Sequence, residues 1–280
     1  MIIKFIIEED HILLKDYLAK KHIYANLLKD IKQGNGQYIV NDQTVENWYE
    51  LKKNDCLEIV LPTSFPGKNI KPIYHPFEII YEDSYLLIIN KENNLATIPT
   101  RMHFDASLAN YVMSYYKQKG ILSNIHFVGR LDYATSGLII LAKNPYILSL
   151  MKDAQITKKY LLEVSGFLPQ KQGEITGGIE KDPISIIKRR MTNAFTNSKT
   201  TYQVYKEKEN TTIVEATLHT GKTHQLRLHF SSIGFSILGD ELYGKKEDDG
   251  ILHLHSYLTT FVHPVTKKTL SFTTYPKWME

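Results

Sequence analysis

Between His126 and Lys143 the chain reads HFVGRLDYATSGLIILAK, and no other stretch constrains the fold as strongly. Its second half, Leu138 to Ala142, is continuously apolar, as in a strand buried on both faces. Its first half is polar. It carries Arg130 and Asp132 two residues apart and then Thr135-Ser136-Gly137, a turn sequence. A rigid strand therefore anchors a loop that presents a cation and an acid, and functional groups tend to sit on loops positioned in this way.

The rest of the chain bounds what that loop can act on. Its 280 residues suffice for one large domain, or for a large and a small one. The 42% hydrophobic and 23% charged fractions are those of an ordinary globular protein. No apolar run approaches the ~20 residues that span a bilayer. The N-terminus has an apolar patch but turns acidic at Glu8, Glu9 and Asp10, without the basic start and cleavage site of a signal peptide. The single cysteine, Cys56, cannot form an internal disulfide and is expected in the core. A cytoplasmic monomer with no membrane contact is the expectation. Residues 1–62 hold 8 lysines against 10 acids, whereas the remainder is net +6, an excess that permits a polyanion partner.

Residues 11–32 read as two short helices, the second striped by Tyr24, Leu27, Leu28 and Ile31, with Lys15, Lys20, Lys21, Lys29 and Lys32 set among the stripes. Strand candidates Gln37–Val40 and Cys56–Leu61 follow, and 63–76 reads as a linker. Beyond it, a hairpin is predicted from Phe77–Tyr81 and Tyr85–Asn90, and helices over Ala106–Lys117, from Asn144-Pro145 to about Ala154, and over Lys222–Ser232. Further strands are expected at Tyr160–Val164, Thr200–Tyr205, Thr212–Leu218, Leu252–Tyr257 and Thr269–Thr274. Together they describe an α+β protein: a small unit at 1–62, then a strand-rich mixed sheet over 77–280.

Several local patterns suggest chemistry and then fail. Gly221-Lys222-Thr223 lies between a strand and a helix as in a phosphate-binding loop, but the glycine required five positions earlier is Ala216. His253 and His255 share a strand face, yet no third ligand stands at useful spacing, so hydrogen-bonded histidines are expected and no metal. Ser136 lacks the glycine-flanked elbow of a nucleophilic serine. Asp132 is the better candidate. A lone loop aspartate commonly serves only a turn, but Arg130 is close in sequence and Arg227 arrives from a helix that begins at another polar segment, Thr220 to Arg227. An arginine can keep a carboxylate ionised and oriented, fit to act as nucleophile or general base.

Four ordered segments carry a resemblance. VGRLDYATSGLIILAK at 128–143 closely resembles the catalytic loop of the large-subunit-type (RluA-like) RNA pseudouridine synthases. LysLysTyr at 158–160, LHTGKTHQLRLHF at 218–230 and ILGDELYG at 237–244 follow in the same order. The helix pair with GQYIVNDQTV and LKKNDCLEIVL resembles the small RNA-binding domain named after ribosomal protein S-four. The resemblance implies a pseudouridine synthase fold with a central mixed, largely antiparallel sheet. It also implies cofactor-free isomerisation of uridine in ribosomal or transfer RNA. Asp132 would be the catalytic aspartate, attacking ribose or base or taking the sugar proton. Tyr160 would stack on the uracil and is a candidate for removing the C5 proton, and Arg227 would be the partner of the aspartate. Arg130 would enter the space left by the flipped nucleotide; Lys222, His224 and Gln225, with Lys20 and Lys21 of the small domain, would contact RNA. The alternative is an RNA-binding protein that kept the fold and lost the chemistry.

Two departures stand out. The family histidine before Arg-Leu-Asp is Gly129, and the family's Lys-Pro-x-Gly is Lys91-Glu92-Asn93-Asn94, which is expected to alter that turn.

Overall fold

Strands that alternate in burial build a small N-terminal sheet in the computed structural model, which describes residues 2–21, 23, 36–61, 70–245 and 250–279. Its elements are β1 (Ile2–Ile6), β2 (Ile12–Leu13), α1 (Leu14–Lys20), β3 (Gln37–Val40), β4 (Gln43–Val45), β5 (Glu50–Leu51) and β6 (Cys56–Val60). The antiparallel order is β1-β6-β3-β4, and β2 pairs with β5 apart from it. β1 hides in the sequence because four of its five residues are apolar, although only Ile3 and Phe5 turn inward. In β6 the inward residues are Leu57 and Ile59, which leaves Cys56 half-buried rather than in the core. The first predicted helix is α1; the second, with its Tyr24–Ile31 stripe, Lys29 and Lys32, lies outside the described residues.

Residues 63–69 of the expected linker lie outside the described residues; from residue 70 the chain runs along the helix that follows in sequence. Lys71 O accepts from Asn110 Nδ2 at 2.9 Å, and His75 stacks on Tyr111 at 4.4 Å. That helix, α2 (Leu108–Lys119), follows the hairpin β7 (Glu78–Glu82) and β8 (Leu86–Lys91). Ser107 caps it in a box with Asn110, so it starts two residues later than predicted. Next come β9 (His126–Phe127), β10 (Ser136–Ala142) and α3 (Pro145–Asp153), whose N-cap Asn144 accepts from Ile147 N at 2.9 Å. The chain ends through β11 (Thr157–Ser165), β12 (Gln172–Lys181), β13 (Arg189–Thr192), β14 (Ser198–Glu207), β15 (Thr211–Leu218), α4 (Gln225–Ser232), β16 (Leu254–Val262) and β17 (Thr269–Thr273).

These strands form one sheet in the order β13-β12-β14-β15-β11-β16-β10-β8-β7, with β17 on β16 and β9 on β10. Among the described strands only β10 and β16 pair in parallel, so the sheet is mixed and largely antiparallel, as expected. Leu138 to Ala142 of β10 are each at most 1% exposed, and burying a Leu or Ile side chain contributes about 1.5–3 kcal/mol. The parallel contact depends on Gly137. A Cβ there would lie 2.4 Å from Ser256 O, and its φ of +108° suits glycine.

Buried histidines lock the sheet to its neighbours. His263 Nε2 and Asp83 Oδ2 lie 2.9 Å apart, and Asp83 Oδ1 caps the β7–β8 turn by accepting from Tyr85 N and Leu86 N. His255 bonds Ser136 Oγ at 2.7 Å, and His253 bonds Glu163 at 3.0 Å. His229 of α4 bridges Ser198 and Thr200 of β14 at 2.8 and 2.9 Å. His253, His255 and His263 thus each have a hydrogen-bonding role in the core or at a turn. No helix among the described residues is long and apolar enough to cross a membrane.

Burial pushes both His229 and His255 down to about 4, so the folded protein holds them neutral where the unfolded chain would protonate them. Their stabilising contribution is complete above the unfolded value near pH 6.5 and is lost as the pH falls through about 4. The melting temperature should therefore fall steadily between these limits, and His229→Gln should fall less steeply. A parallel decline in both proteins would contradict the assignment.

A candidate active site at the end of the central strand

The loop before β10 is held from one side. Thr97 Oγ1 donates to Leu131 O at 2.7 Å, Lys91 Nζ and Leu95 N to Tyr133 O at 3.2 and 3.1 Å, and Asn93 Nδ2 to Ala134 O at 2.8 Å. Asp132 O accepts from Thr135 N at 3.1 Å within the loop's own turn. Four successive carbonyls are thus engaged, and the ring of His103 stacks on Tyr133 at 4.7 Å. With these carbonyls pinned, Asp132 lines the cleft, as do Arg130, Leu131 and Tyr133 beside it. Segment 91–97 therefore acts as the mould of this loop. In the turn at its start, Asn94 takes a left-handed φ of +54°. Asn93 adds a tie to Leu252 O at 3.2 Å.

Sheet register brings Tyr160 to the same place. Ser256 pairs with Gly137 on one side and with Tyr160 on the other, so Tyr160 stands two strands, roughly 10 Å, from the end of the loop. The pairing skips Tyr257 immediately beside Tyr160, a bulge of the kind that re-aims side chains next to active sites. Burial pushes the Tyr160 phenol up to about 12, with the Ser256 hydroxyl opposing and the Asp132 charge adding.

Arg227 lines the cleft from α4, but its fork goes elsewhere than expected. Nε and Nη2 reach Asp240 Oδ2 and Oδ1 at 2.9 and 2.6 Å, with Asp240 fully buried. Asp240 also accepts from Leu242 N and Tyr243 N. Burial works against the Arg227 charge, and the Asp240 fork outweighs it, with the Asp132 charge adding through space. Asp240 was not singled out in the sequence, although the ILGDELYG segment that carries it was.

The predicted RNA contacts divide. Arg130 and Lys222 are exposed at the cleft. His224 is half-buried there, with Nδ1 2.8 Å from the Tyr243 hydroxyl; its left-handed φ of +58° explains why α4 starts at Gln225, not at Lys222. Gln225 is only 2% exposed. It accepts from Thr220 Oγ1 and Lys222 N and donates to Lys199 O and Thr200 Oγ1, so its side chain has no hydrogen-bonding capacity left for RNA. Its role is to shape the 219–224 turn. Lys20 and Lys21 lie in the small unit, where Lys20 pairs with Glu9 at 2.5 Å and Lys21 sits 5.3 Å from the Tyr17 ring centre.

Two lysines with no role assigned from the sequence complete the site. Lys91 is 1% exposed and donates to Glu92 O, Leu95 O and Tyr133 O; burial brings it down to about 7, with Asp132 and Glu92 opposing. Lys158 is lowered by burial and donates weakly to Val128 O at 3.4 Å. Gly129 faces it: a Cβ there would lie 3.3 Å from Lys158 Nζ, on backbone with a φ of +85°. A histidine at 129 would therefore strain the backbone and press on the ammonium. The cleft encloses about 590 Å³, within the range of sites for nucleotide-sized molecules.

Comparison with known proteins agrees with this geometry. Residues 85–232 match the model of the RNA pseudouridylate synthase family. The chain is 34% identical over 264 residues to an uncharacterized RNA pseudouridine synthase of Bacillus subtilis, YjbO, covering 92% of this chain and 93% of that one. It is 30% identical over 246 residues to ribosomal large subunit pseudouridine synthase D of Zymomonas mobilis, covering 80% of this chain and 76% of that one. The solved structure of human RNA pseudouridylate synthase domain containing 4 shares the fold, with a TM-score of 0.58, 24% identity and coverage of 72% of this chain and 89% of that one. The family match and these relatives place the chain among the RNA-modifying isomerases, and it belongs to the RNA pseudouridine synthase family, on its RluA-like branch.

The mould can be tested without touching the cleft. Lys91→Met removes one of the two donors to Tyr133 O and leaves Leu95 N in place. Turnover should fall about 100-fold, the scale of an ångström misplacement, with RNA affinity little changed. Unaltered turnover would show that Lys91 does not position the loop.

Proposed function

We propose that this protein isomerises particular uridines of structured RNA to pseudouridine, without a cofactor, with Asp132, Tyr160 and Arg227 as its working residues. The observation that carries the reading is the pinned loop: the Asp132 side chain lines one nucleotide-sized cleft with Tyr160 and Arg227. The chemistry breaks the bond from ribose C1′ to uracil N1, turns the base, and forms a bond from C1′ to C5. The C5 proton leaves and N1 gains one. The Asp132 carboxylate serves as nucleophile or base at the sugar or the base. A target base must leave its stack to reach such a cleft, and Arg130, exposed on its rim, suits the space it vacates.

Tyr160 presents its ring to the uracil. Since burial keeps its hydroxyl protonated, removal of the C5 proton requires it to lose its own proton in the bound complex. Arg227, locked to Asp240, supplies fixed positive charge, and Lys222 and His224 meet the RNA backbone. The small N-terminal unit, with Lys20 and Lys21, serves as a second RNA contact; the Lys20–Glu9 pair is on the surface, where a phosphate can displace the acid. Ribosomal RNA is the substrate we favour, supported by the relative named for the large ribosomal subunit, with transfer RNA the alternative. A cytoplasmic monomer fits a chain with one cysteine.

Tritium release from C5-labelled uridine in RNA tests the chemistry directly. Wild type should release tritium, and Asp132→Ala should not while still binding RNA. Background release by both proteins would leave only a binding role. Tyr160→Phe keeps the ring and loses the hydroxyl, so RNA affinity should hold while release slows by about 100-fold, the usual scale of general acid–base assistance. Full release by that variant would reduce Tyr160 to a stacking surface.

A further inference from the structure

β12 and β13 form a hairpin at the end of the sheet, paired from Gly178↔Thr192 to Lys181↔Arg189. Its tip is built with care. Asp182 Oδ1 accepts from Ile184 N and Ser185 N at 2.8 and 2.9 Å, and Ser185 Oγ accepts from Ile187 N and Lys188 N at 3.3 and 3.1 Å. Arg189 Nη1 donates to Lys188 O at 2.9 Å. Yet this preorganised turn holds Ile184 94% exposed, Ile186 98% exposed and Ile187 57% exposed. Contiguous apolar exposure on a backbone so fixed marks a contact surface.

The surroundings select the partner. Residues 180–190 carry Lys181, Lys188, Arg189 and Arg190 against Glu180 and Asp182, a net +2 beside the apolar tip. The hairpin is rooted at the cleft: Arg189 N donates to the Tyr243 hydroxyl at 2.8 Å, the hydroxyl that also bonds His224. The Arg227 guanidinium lies 5.3 Å from the centre of the same ring. A polyanion with one nucleotide in the cleft would run past this arm.

On the reading that the cleft takes a uridine out of RNA, we infer that the hairpin tip is an apolar wedge. Ile184, Ile186 and Ile187 would pack on bases left unstacked beside the extruded uridine, with Lys181 and Lys188 on flanking phosphates. Extruding a base leaves its neighbours' faces in water, and apolar side chains inserted at such steps are a recurring answer in nucleic-acid recognition. The wedge favours RNA whose bases can open over continuous duplex.

The test uses the full chain carrying Asp132→Ala, so that binding is read without turnover. The probes are unmodified ribosomal RNA transcript and a fully paired RNA duplex. Ile184→Ser with Ile186→Ser should weaken binding to the transcript at least tenfold, leave duplex binding and melting temperature unchanged, and keep the salt dependence. Lys181→Gln with Lys188→Gln should instead lower the salt slope by roughly 1.5 on both RNAs. Unchanged transcript affinity in the isoleucine variant would overturn the wedge. So would a dimeric Asp132→Ala protein that becomes monomeric on the same change, since the tip would then be a contact between copies. Absence of tritium release from the protein with native Asp132 would instead sink the isomerase reading, and the binding comparison would still stand.

Discussion

Everything in the cleft depends on how four neighbouring carbonyls are held. Leu131, Asp132, Tyr133 and Ala134 would otherwise form a mobile surface turn, and their accepted hydrogen bonds remove that freedom. Three of the four are held by segment 91–97, which itself leaves the adjacent strand β8. Two neighbouring strands therefore continue past the sheet as a pair of interlocked loops. The anchor is stiff because β10 is buried on both faces, and a loop is only as precise as its root. A buried lysine at the junction is costly unless its hydrogens find acceptors, and Lys91 finds three carbonyls.

The second constraint is lateral. Gly137, Ser256 and Tyr160 form one row across three strands, so whatever fixes β10 against β16 also fixes Tyr160 against the loop. Gly137 permits that approach, and the Ser136–His255 bond secures it at 2.7 Å. The Ser136 hydroxyl is thereby a structural group, in keeping with its turn-like sequence. Tyr160 and Asp132 share a site through sheet registration, although neither needs to contact the other.

The sequence exposed the parts whose pattern is local. The apolar run of β10 and the Asn144-Pro145 start of α3 are readable because burial and capping act over a few residues. In contrast β15, expected to alternate, is buried on both faces from Thr212 to Ala216. Partnerships across the fold were not readable. The resemblance implied Arg227 as the partner of Asp132, and spacing alone could not show its bidentate partner, Asp240, thirteen residues on. Gln225 was expected to contact RNA from the resemblance; burial and four hydrogen bonds close it off. The β12–β13 hairpin escaped because Gly177-Gly178 and the basic residues flanking its tip break any alternation, and its strands are defined by pairing with each other and with β14 rather than by their own pattern. The altered 91–94 turn was expected to change shape. There Asn94 takes the left-handed region, which asparagine tolerates better than most residues.

The charges at the cleft fall into two kinds, and the division bears on what can respond to RNA. Arg227 is fixed by a buried fork, and removing either member of such a pair leaves a bare charge in the interior, at about 3–5 kcal/mol. Loss of activity on replacing Arg227 would therefore mix catalysis with folding. Lys91 is equally fixed, by carbonyls. Arg130 and Lys222, in contrast, are exposed and can move. An incoming phosphate would draw these mobile cations to itself, while the field at Asp132 from Arg227 stays in place. The electrostatic setting of the aspartate is thus built into the fold before substrate arrives, and the cations that meet the RNA are separate from those that define the site.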